Sequence, residues 1–494
     1  MSAPEERQVS RRNSENEALV TELRFGTDGI RGPVGPVINQ EAIARIVAGV
    51  AQYMQTPGYR AESHCPSGAP LLLVGGDCRS TSDYFIHMTC TIASQLGIRV
   101  AQCEGYVATP MLAHGILELG AQGGIMVTAS HNPADHNGIK FLPWYGGPAL
   151  PTHTLAIEDF LNGPPPDLAR YAVQDIEPHN PAAAYAEQLG KLIDFDAIRQ
   201  AKLKIAYDAL YGVGKGYMRQ LLRNWDIQAQ VFHGDDDPTM GKAMPDPSEE
   251  RLSELASQVS SRGFDIGIAT DGDADRFAAV DAAGHYCPPN YCLSLIAHYL
   301  YSVQHAKGGI VRSISTTHRL DRIAAAHNEP VIATPVGFKY LSAKLRSGPQ
   351  WLMAGEESGG LALRGHVPEK DGLLGCLLLL EALAVTGKSL AALWAEVEAA
   401  YGPVVAERLD WRIPIEQQQA MLDRLAAEDK LTLAGETFTR VAPERAEFAT
   451  ESGSWVLVRR SGTEDCLRVY LETDELGRLE RMKSGVEGLL RTAL

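Results

Sequence analysis

Phe264-Asp265-Ile266-Gly267-Ile268-Ala269 runs without interruption into Thr270-Asp271-Gly272-Asp273-Ala274-Asp275-Arg276. The first six residues form an apolar run of strand length. The next seven place a carboxylate at every second position, with only the small Gly272 and Ala274 between them. That spacing can aim Asp271, Asp273 and Asp275 at one point. Three carboxylates crowded at a strand end repel one another unless a cation joins them, and hard oxygen ligands of this kind suit Mg²⁺ or Ca²⁺. The competing reading is a solvated acidic turn. An EF-hand is excluded, because counting from Asp271 the sixth position is Arg276 instead of Gly and the twelfth is Ala282 instead of Glu.

Outward from this junction, two more apolar strands end in loops rich in glycine and oxygen-bearing side chains. Ile125 to Thr128 meets Thr128-Ala129-Ser130-His131-Asn132-Pro133, and Trp351 to Ala354 meets Gly355-Glu356-Glu357-Ser358-Gly359-Gly360. Elsewhere short β-branched or leucine-rich runs (Leu71 to Val74, Arg99 to Gln102, Lys204 to Asp208, Gly309 to Ile314, Pro330 to Ala333) alternate with segments of helical length. That alternation predicts βαβ units on mostly parallel sheets. Helices are expected from Ser82 to Leu96 and from Pro110 to Leu119, with Ser82 and Thr109 as N-caps and Pro110 in the first turn. A leucine-rich helix is expected over Gly372 to Val385.

The last ninety or so residues differ: a helix near Glu416 to Ala427, strands Trp455 to Val458 and Cys466 to Leu471, and a terminal helix from about Glu475. The expected division is a disordered leader over 1–22, α/β units over 23–165, 166–280 and 281–404, and a smaller α+β unit over 405–494. The Gly163-Pro164-Pro165-Pro166 run supplies the first break. The stretch from Thr56 to Pro70 reads as a flexible surface insertion. In open α/β sheets ligands collect at the carboxyl ends of strands, so three such loops are expected to face one shared cleft.

The composition restricts the partners. At 494 residues, 45% hydrophobic, the chain buries several cores, while 45 Lys and Arg against 61 Asp and Glu leave a net charge of −16. A field of that sign repels nucleic acid and anionic lipid, so neither is an expected partner. The most apolar stretch, Leu373 to Leu380, is far short of the roughly 20 residues that span a bilayer. The first two dozen residues lack the apolar core of a secretory signal. Cys65, Cys78, Cys90, Cys103, Cys287, Cys292, Cys376 and Cys466 form no CxxC pair and read as reduced thiols of a cytoplasmic protein.

Against that acidic background, Arg459-Arg460-Ser461-Gly462-Thr463-Glu464, with Arg468 beyond, gathers guanidinium, hydroxyl and backbone N–H donors. A phosphate is cradled by such a set. Ser130 reads as an exposed nucleophile or phosphoryl carrier, or as a turn-forming serine. Glu356, Glu357 and Ser358 offer acceptors suited to sugar hydroxyls. Other motifs fail. GxSxG is absent around Ser130, and a haloacid-dehalogenase loop would need Thr or Val at Asp275. A Walker loop would need Gly at Ala209, and a dinucleotide fingerprint a small residue at Tyr217.

Taken in order, these four loops resemble those of the α-D-phosphohexomutase superfamily. The resemblance extends from Phe25-Gly26-Thr27-Asp28-Gly29-Ile30-Arg31-Gly32 to Glu464 and includes Asn137 to Lys140 and Thr334-Pro335-Val336-Gly337-Phe338. It implies three similar α/β domains with mixed sheets plus a smaller C-terminal α+β domain around a central cleft. It implies that Ser130 is the phosphoserine, and that Asp271, Asp273, Asp275 and the Ser130 phosphoryl group hold Mg²⁺. Arg31, His131, Lys140 and Arg276 would line the reacting end, Lys140 being the candidate for moving the attacking hydroxyl's proton. Glu356, Ser358, Gly337, His366 and Lys370 would bind the sugar, and Arg459, Ser461, Gly462, Thr463 and Arg468 its nonreacting phosphate.

The activity so implied interconverts hexose 1-phosphate and hexose 6-phosphate, with a sugar 1,6-bisphosphate as intermediate and activator and a monomer or homodimer as the working unit. Arg460 and Asp465 stand where the family commonly has proline, and Glu357 where phosphoglucosamine mutases have Gln and many bacterial phosphomannomutases Met. The Gly355-Glu356-Glu357-Ser358 opening and His366 to Gly372 look more like the phosphoglucomutase side, which points to glucose phosphates ahead of mannose phosphates. A Mg²⁺-dependent sugar phosphatase, a bisphosphate synthase and a noncatalytic sugar-phosphate sensor are the alternatives.

Overall fold

A computed structural model describes residues 23–26, 28–65, 67–161, 176–433, 435–461 and 465–492. The leader 1–22, the Gly163 to Pro166 run, Gly462 and Thr463 lie outside the described residues.

Four sheets succeed one another along the chain, and the first three share a plan. The first runs in the order Ile30–Pro33, His136–Pro143, Gly123–Val127, Leu71–Gly76, Arg99–Cys103, Glu177–His179. The second is ordered Tyr286–Cys287, Phe277–Asp281, Ile266–Thr270, Ile205–Asp208, Ala229–Phe232, and the third Val331–Thr334, Gly309–Ser313, Trp351–Glu356, Gly360–Leu363. In each, a buried parallel strand ends, turns, and returns as an antiparallel neighbour: Gly123–Val127 to His136–Pro143, Ile266–Thr270 to Phe277–Asp281, Trp351–Glu356 to Gly360–Leu363. These sheets are therefore mixed, and each chemistry-bearing loop is the tip of such a reversal. The fourth sheet is antiparallel throughout, in the order Val405–Trp411, Leu467–Thr473, Trp455–Arg460, Glu447–Ala449, Glu436–Arg440, Lys430–Leu433.

The expected strands and long helices are present within a residue or two of their bounds. Helix Gly372–Thr386 is buried at every position from Gly372 to Leu383. It shares one core with the second and third sheets, which is why its sequence is apolar on all sides. Among the described residues no single helix is long and apolar enough to cross a membrane. The fourth unit has its own core around Phe438, Phe448 and Val469, and meets the third through Trp455, Leu457 and Tyr470 against Ile314.

Some expectations are corrected. Glu177–His179 lies beyond 165 yet pairs with Arg99–Cys103 in the first sheet, and Tyr286–Cys287 lies beyond 280 yet pairs with Phe277–Asp281 in the second. An edge strand joins through backbone hydrogen bonds, which need no side-chain pattern. Ser82 and Thr109 are not N-caps but first helical residues, behind Thr81 and Ala108. Both hydroxyls donate instead to carboxylates, of Asp77 and Asp273. Nor is the segment from Thr56 a flexible insertion throughout: Thr56 caps helix Pro57–Glu62, and Tyr59 is 2% exposed with its hydroxyl on the Gln122 carbonyl.

Candidate active site

Ser130 occupies the tip of the first reversal in a left-handed conformation, φ +51°, one that L-residues adopt at a cost and that surrounding bonds must hold. Here the buried Arg79 does so. Its guanidinium donates to the carbonyls of Ser130 (2.7 Å), Asn132 (2.7 Å), Pro133 (2.5 Å) and His136 (3.0 Å), and to Asp77 Oδ2 (3.0 Å). Asp77 also accepts from Thr128, whose Oγ1 takes the Ser130 N–H at 2.8 Å. The Ser130 hydroxyl, 1% exposed, donates to Asp271 Oδ2 at 3.0 Å and lies 3.4 Å from His131 Nδ1. Burial, and then the positive Arg276 and Arg31, hold the His131 pKa well below the ordinary histidine value, so this ring is neutral.

The second reversal wraps its backbone around Asp271, whose Oδ1 accepts the N–H groups of Asp275 (2.9 Å) and Arg276 (3.1 Å). Asp271, Asp273 and Asp275 are fully buried, with oxygens within 4.8 Å of one another. Lys140 donates to Asp273 at 2.6 Å and to Asp275 at 2.8 Å, and Thr109 Oγ1 donates to Asp273 at 2.6 Å. Among the described residues Asp273 Oδ1 and Asp275 Oδ1 have no hydrogen-bond partner. Burial, then Asp273 and Asp275, drive the Asp271 pKa well above the carboxylate range. Burial would also raise Asp273, but Lys140 and Arg31 outweigh it and hold that group low. Three buried carboxylates with two orphaned oxygens and a suppressed charge fit a divalent cation bound by oxygen. The two reversals touch so closely that a Cβ on Gly272 would sit 2.5 Å from the Ser130 carbonyl oxygen.

A cluster of cations closes over this centre. Asp28 binds Arg31 (2.8 Å), Lys140 (3.1 Å) and Lys370 (3.2 Å), and Lys370 also reaches Asp275 at 3.3 Å. Burial would raise the Asp28 carboxyl, yet Lys140, Lys370 and Arg31 keep it ionised. Burial would likewise strip Lys140 of its proton, but Asp273, Asp275 and Asp28 raise its pKa above the ordinary lysine value. In this arrangement Lys140 donates to three carboxylates. Beside Lys370, Glu369 is pushed up to about 8 by burial, against the pull of Lys370.

The third reversal joins the second through the Phe277 N–H to the Gly359 carbonyl (3.2 Å) and a bridge between Arg276 and Gly360. Gly359 takes φ +93°, which suits glycine. Glu356, 7% exposed, accepts from Ser358 Oγ at 2.7 Å. Gly337 precedes helix Phe338–Leu345, whose Phe338 ring lies 5.5 Å from Lys370 Nζ. The His366 side chain has no exposed surface and its Nε2 is 2.7 Å from Asp371 Oδ2, which also accepts from Tyr185. It braces the N-cap of helix Gly372–Thr386.

On the fourth unit Arg459 and Arg468 are direct cross-strand partners. Like charges so placed are destabilising unless an anion joins them, and Asp410 Oδ1 lies 3.7 Å from Arg468 Nε. Ser461, 7% exposed, follows on this edge with its N–H on the Cys466 carbonyl (2.9 Å). Arg459 Nη2 donates to the Tyr470 hydroxyl at 2.7 Å. Sequence reading missed Asp28, Thr109, Arg79, Glu369 and Tyr470 as site residues. Asp28 lay within a quoted run, Phe25 to Gly32, but its three cations come from three separate stretches of chain.

These loops form one buried, charged constellation, and comparison with known proteins places the chain. Profiles of the phosphoglucomutase/phosphomannomutase alpha/beta/alpha domains I, II and III match residues 22–164, 183–284 and 288–401, and that of the C-terminal domain 385–488. The chain is 30% identical to the phosphoglucosamine mutase of Frankia alni over 91% of its own length and 94% of the relative's. It is 26% identical to the phosphoglucomutase of Komagataeibacter xylinus over 92% and 88%. A crystal structure from Thermus thermophilus named for a phosphomannomutase superposes with a TM-score of 0.82 at 29% identity, covering 95% of this chain and 99% of that one. The chain belongs to the α-D-phosphohexomutase superfamily and is an enzyme of the intramolecular phosphotransferase type.

Proposed function

We propose that this enzyme interconverts hexose 1-phosphate and hexose 6-phosphate through a phosphorylated Ser130 and a 1,6-bisphosphate, with glucose phosphates preferred. The observation that carries the reading is the pairing of two candidate anion sites on separate units. One is reactive, with Ser130 Oγ 3.0 Å from Asp271 beneath Lys140. The other is passive, with Arg459 opposite Arg468. A phosphatase has no need of the second. Asp271, Asp273, Asp275 and an oxygen of phosphorylated Ser130 would hold Mg²⁺, which when bound supplies neutralisation of phosphoryl oxygens.

In the forward step the P–O bond to Ser130 breaks as a bond forms to the sugar hydroxyl oxygen in line with it, and the hydroxyl's proton ends on the released Ser130 oxygen, Lys140 being the candidate that moves it. Arg31, Lys140, Lys370 and Arg276 offset the charge that spreads over the phosphoryl oxygens. Glu356 and Ser358 accept from sugar hydroxyls and Arg459 grips the far phosphate. The bisphosphate then turns over, and its other phosphoryl group returns to Ser130. Near-complete burial of Ser130 supports transfer to sugar over loss to water. The Glu356-Glu357-Ser358 sequence supports the glucose preference, and the eight free cysteines agree with a cytoplasmic setting.

The test is a phosphorus NMR time course with Mg²⁺ and a trace of the matching 1,6-bisphosphate on glucose, mannose and glucosamine 1-phosphates. Growth of glucose 6-phosphate fastest, abolished by Ser130→Ala, is expected. Free phosphate alone would make the protein a phosphatase. Silence in every sample would turn the reading to a sensor.

A further inference from the structure

Glu357 sits between the two residues read as sugar ligands, yet its own carboxylate is occupied elsewhere. Oε2 accepts from Ser315 Oγ at 2.7 Å and from Ser313 Oγ at 3.3 Å. Oε1 accepts from the Tyr470 hydroxyl at 3.1 Å. That hydroxyl in turn accepts from Arg459 Nη2 at 2.7 Å. The polarity of this relay is forced: a guanidinium only donates and a carboxylate only accepts, so the single phenolic proton points at Glu357 and leaves the oxygen's lone pairs for Arg459. Burial, then Glu357, pushes the Tyr470 hydroxyl up to about 12, so it stays a neutral phenol in this role.

Two further contacts give the relay a mechanical meaning. The Arg459 guanidinium lies over the Tyr470 ring, 5.3 Å from its centroid, and Arg459 Nη1 is tied to the Arg460 carbonyl at 3.1 Å. Arg459 Nη1 and Nη2 each carry a second N–H beyond these two bonds, which leaves donors for a ligand. An arginine held on one face and at both terminal nitrogens has surrendered its rotamer freedom before an anion arrives, so binding need not repay it. The hold originates in the third unit, on the residue next to Glu356 and Ser358.

Resting on the mutase reading, we propose that Tyr470 is a positioning residue. Anchored by Glu357, it presents Arg459 to the nonreacting phosphate and fixes the distance between that phosphate site and the sugar-binding loop. The relay crosses from the third unit to the fourth, so it also sets where the phosphate clamp docks. A mere docking contact would stabilise the interface equally whether or not Arg459 were present. A positioning residue acts only through Arg459.

That distinction sets the experiment. In full-length Ser130→Ala protein, where no phosphoryl transfer complicates binding, calorimetry with glucose 6-phosphate is run on Tyr470→Phe, Arg459→Ala and the double variant. Loss of a hydrogen bond to a charged group predicts about tenfold weaker binding for Tyr470→Phe. It predicts no additional loss when Tyr470→Phe is added to Arg459→Ala. Glu357→Ala should reproduce Tyr470→Phe, and Glu357→Gln, which still accepts from the phenol, should restore most of the affinity. This series tests the relay even if one variant folds poorly.

Binding within twofold of the parent in Tyr470→Phe, or equal losses with and without Arg459, overturns the proposal. With Ser130 restored, Tyr470→Phe should raise KM about tenfold while kcat falls much less. A parent enzyme that converts no hexose phosphate yet shows the same coupling would remove the functional reading and leave the relay standing.

Discussion

Thr109 stands at the start of helix Thr109–Leu119 in the first unit, yet its hydroxyl donates at 2.6 Å to Asp273 Oδ2 in the second, and its N–H donates to the Asp273 carbonyl at 3.0 Å. Thr109→Val deletes that hydroxyl donor and keeps shape and β-branching. The backbone bond remains, so the loop stays in place and only the carboxylate is released. A hydrogen bond to a charged group contributes about 1.5–3 kcal/mol. Removing a partner that orients a metal ligand costs roughly 10–100-fold in metal affinity. The two ranges agree. Mg²⁺ titration by calorimetry should therefore show a Kd raised by about 10- to 100-fold, with saturating Mg²⁺ restoring most of kcat and far-ultraviolet circular dichroism unchanged. Affinity within twofold of the parent would refute the reasoning, because Asp273 would then be oriented without Thr109. Loss of turnover that Mg²⁺ cannot restore would equally refute it, since the hydroxyl would then serve something other than the carboxylate's orientation.

Two further outcomes follow from buried charges. Arg79→Met leaves the fully buried Asp77 carboxylate without its cation, which should destabilise the first unit by about 3–5 kcal/mol and abolish turnover by freeing the Ser130 loop. Urea unfolding and the NMR assay check this, and a stable, active variant would contradict it. Glu381, on helix Gly372–Thr386, is raised from 4.5 to about 6 by burial, against the hydrogen bonds from Asp194, Tyr299 and Gln304 that lower it. The fold thus prefers its protonated form. The associated stability, about 2 kcal/mol, is fully present below pH 4.5 and is lost as pH rises through about 6. Glu381→Gln should be the more stable protein at pH 7 in thermal melts and should lack this dependence; a parallel pH profile for both proteins would exclude it.

The sequence by itself determined what is local. The apolar runs specify strands, the all-round apolar Gly372–Thr386 specifies a buried helix, and the residues after each strand carry chemistry legible from type and spacing. The carboxylates of Asp271, Asp273 and Asp275 are readable as a candidate cation site from their type and crowding, although a turn around Asp271, with Ala274 at φ +58°, and not an extended chain, gathers their oxygens. Only the tertiary structure decided which distant groups complete each loop. Lys370 reaches Asp28 across 342 positions, Thr109 reaches Asp273 across 164, and Tyr470 reaches Glu357 across 113. No period or motif announces such pairs, since each arises when separate sheets pack by their apolar faces and bring their reversals together. The same packing made His366 a brace for Asp371, and drew the Ser82 and Thr109 hydroxyls from their own helix ends to neighbouring carboxylates. A buried charge demands a partner more strongly than a solvated helix end demands a cap, and burial is a property of the folded molecule.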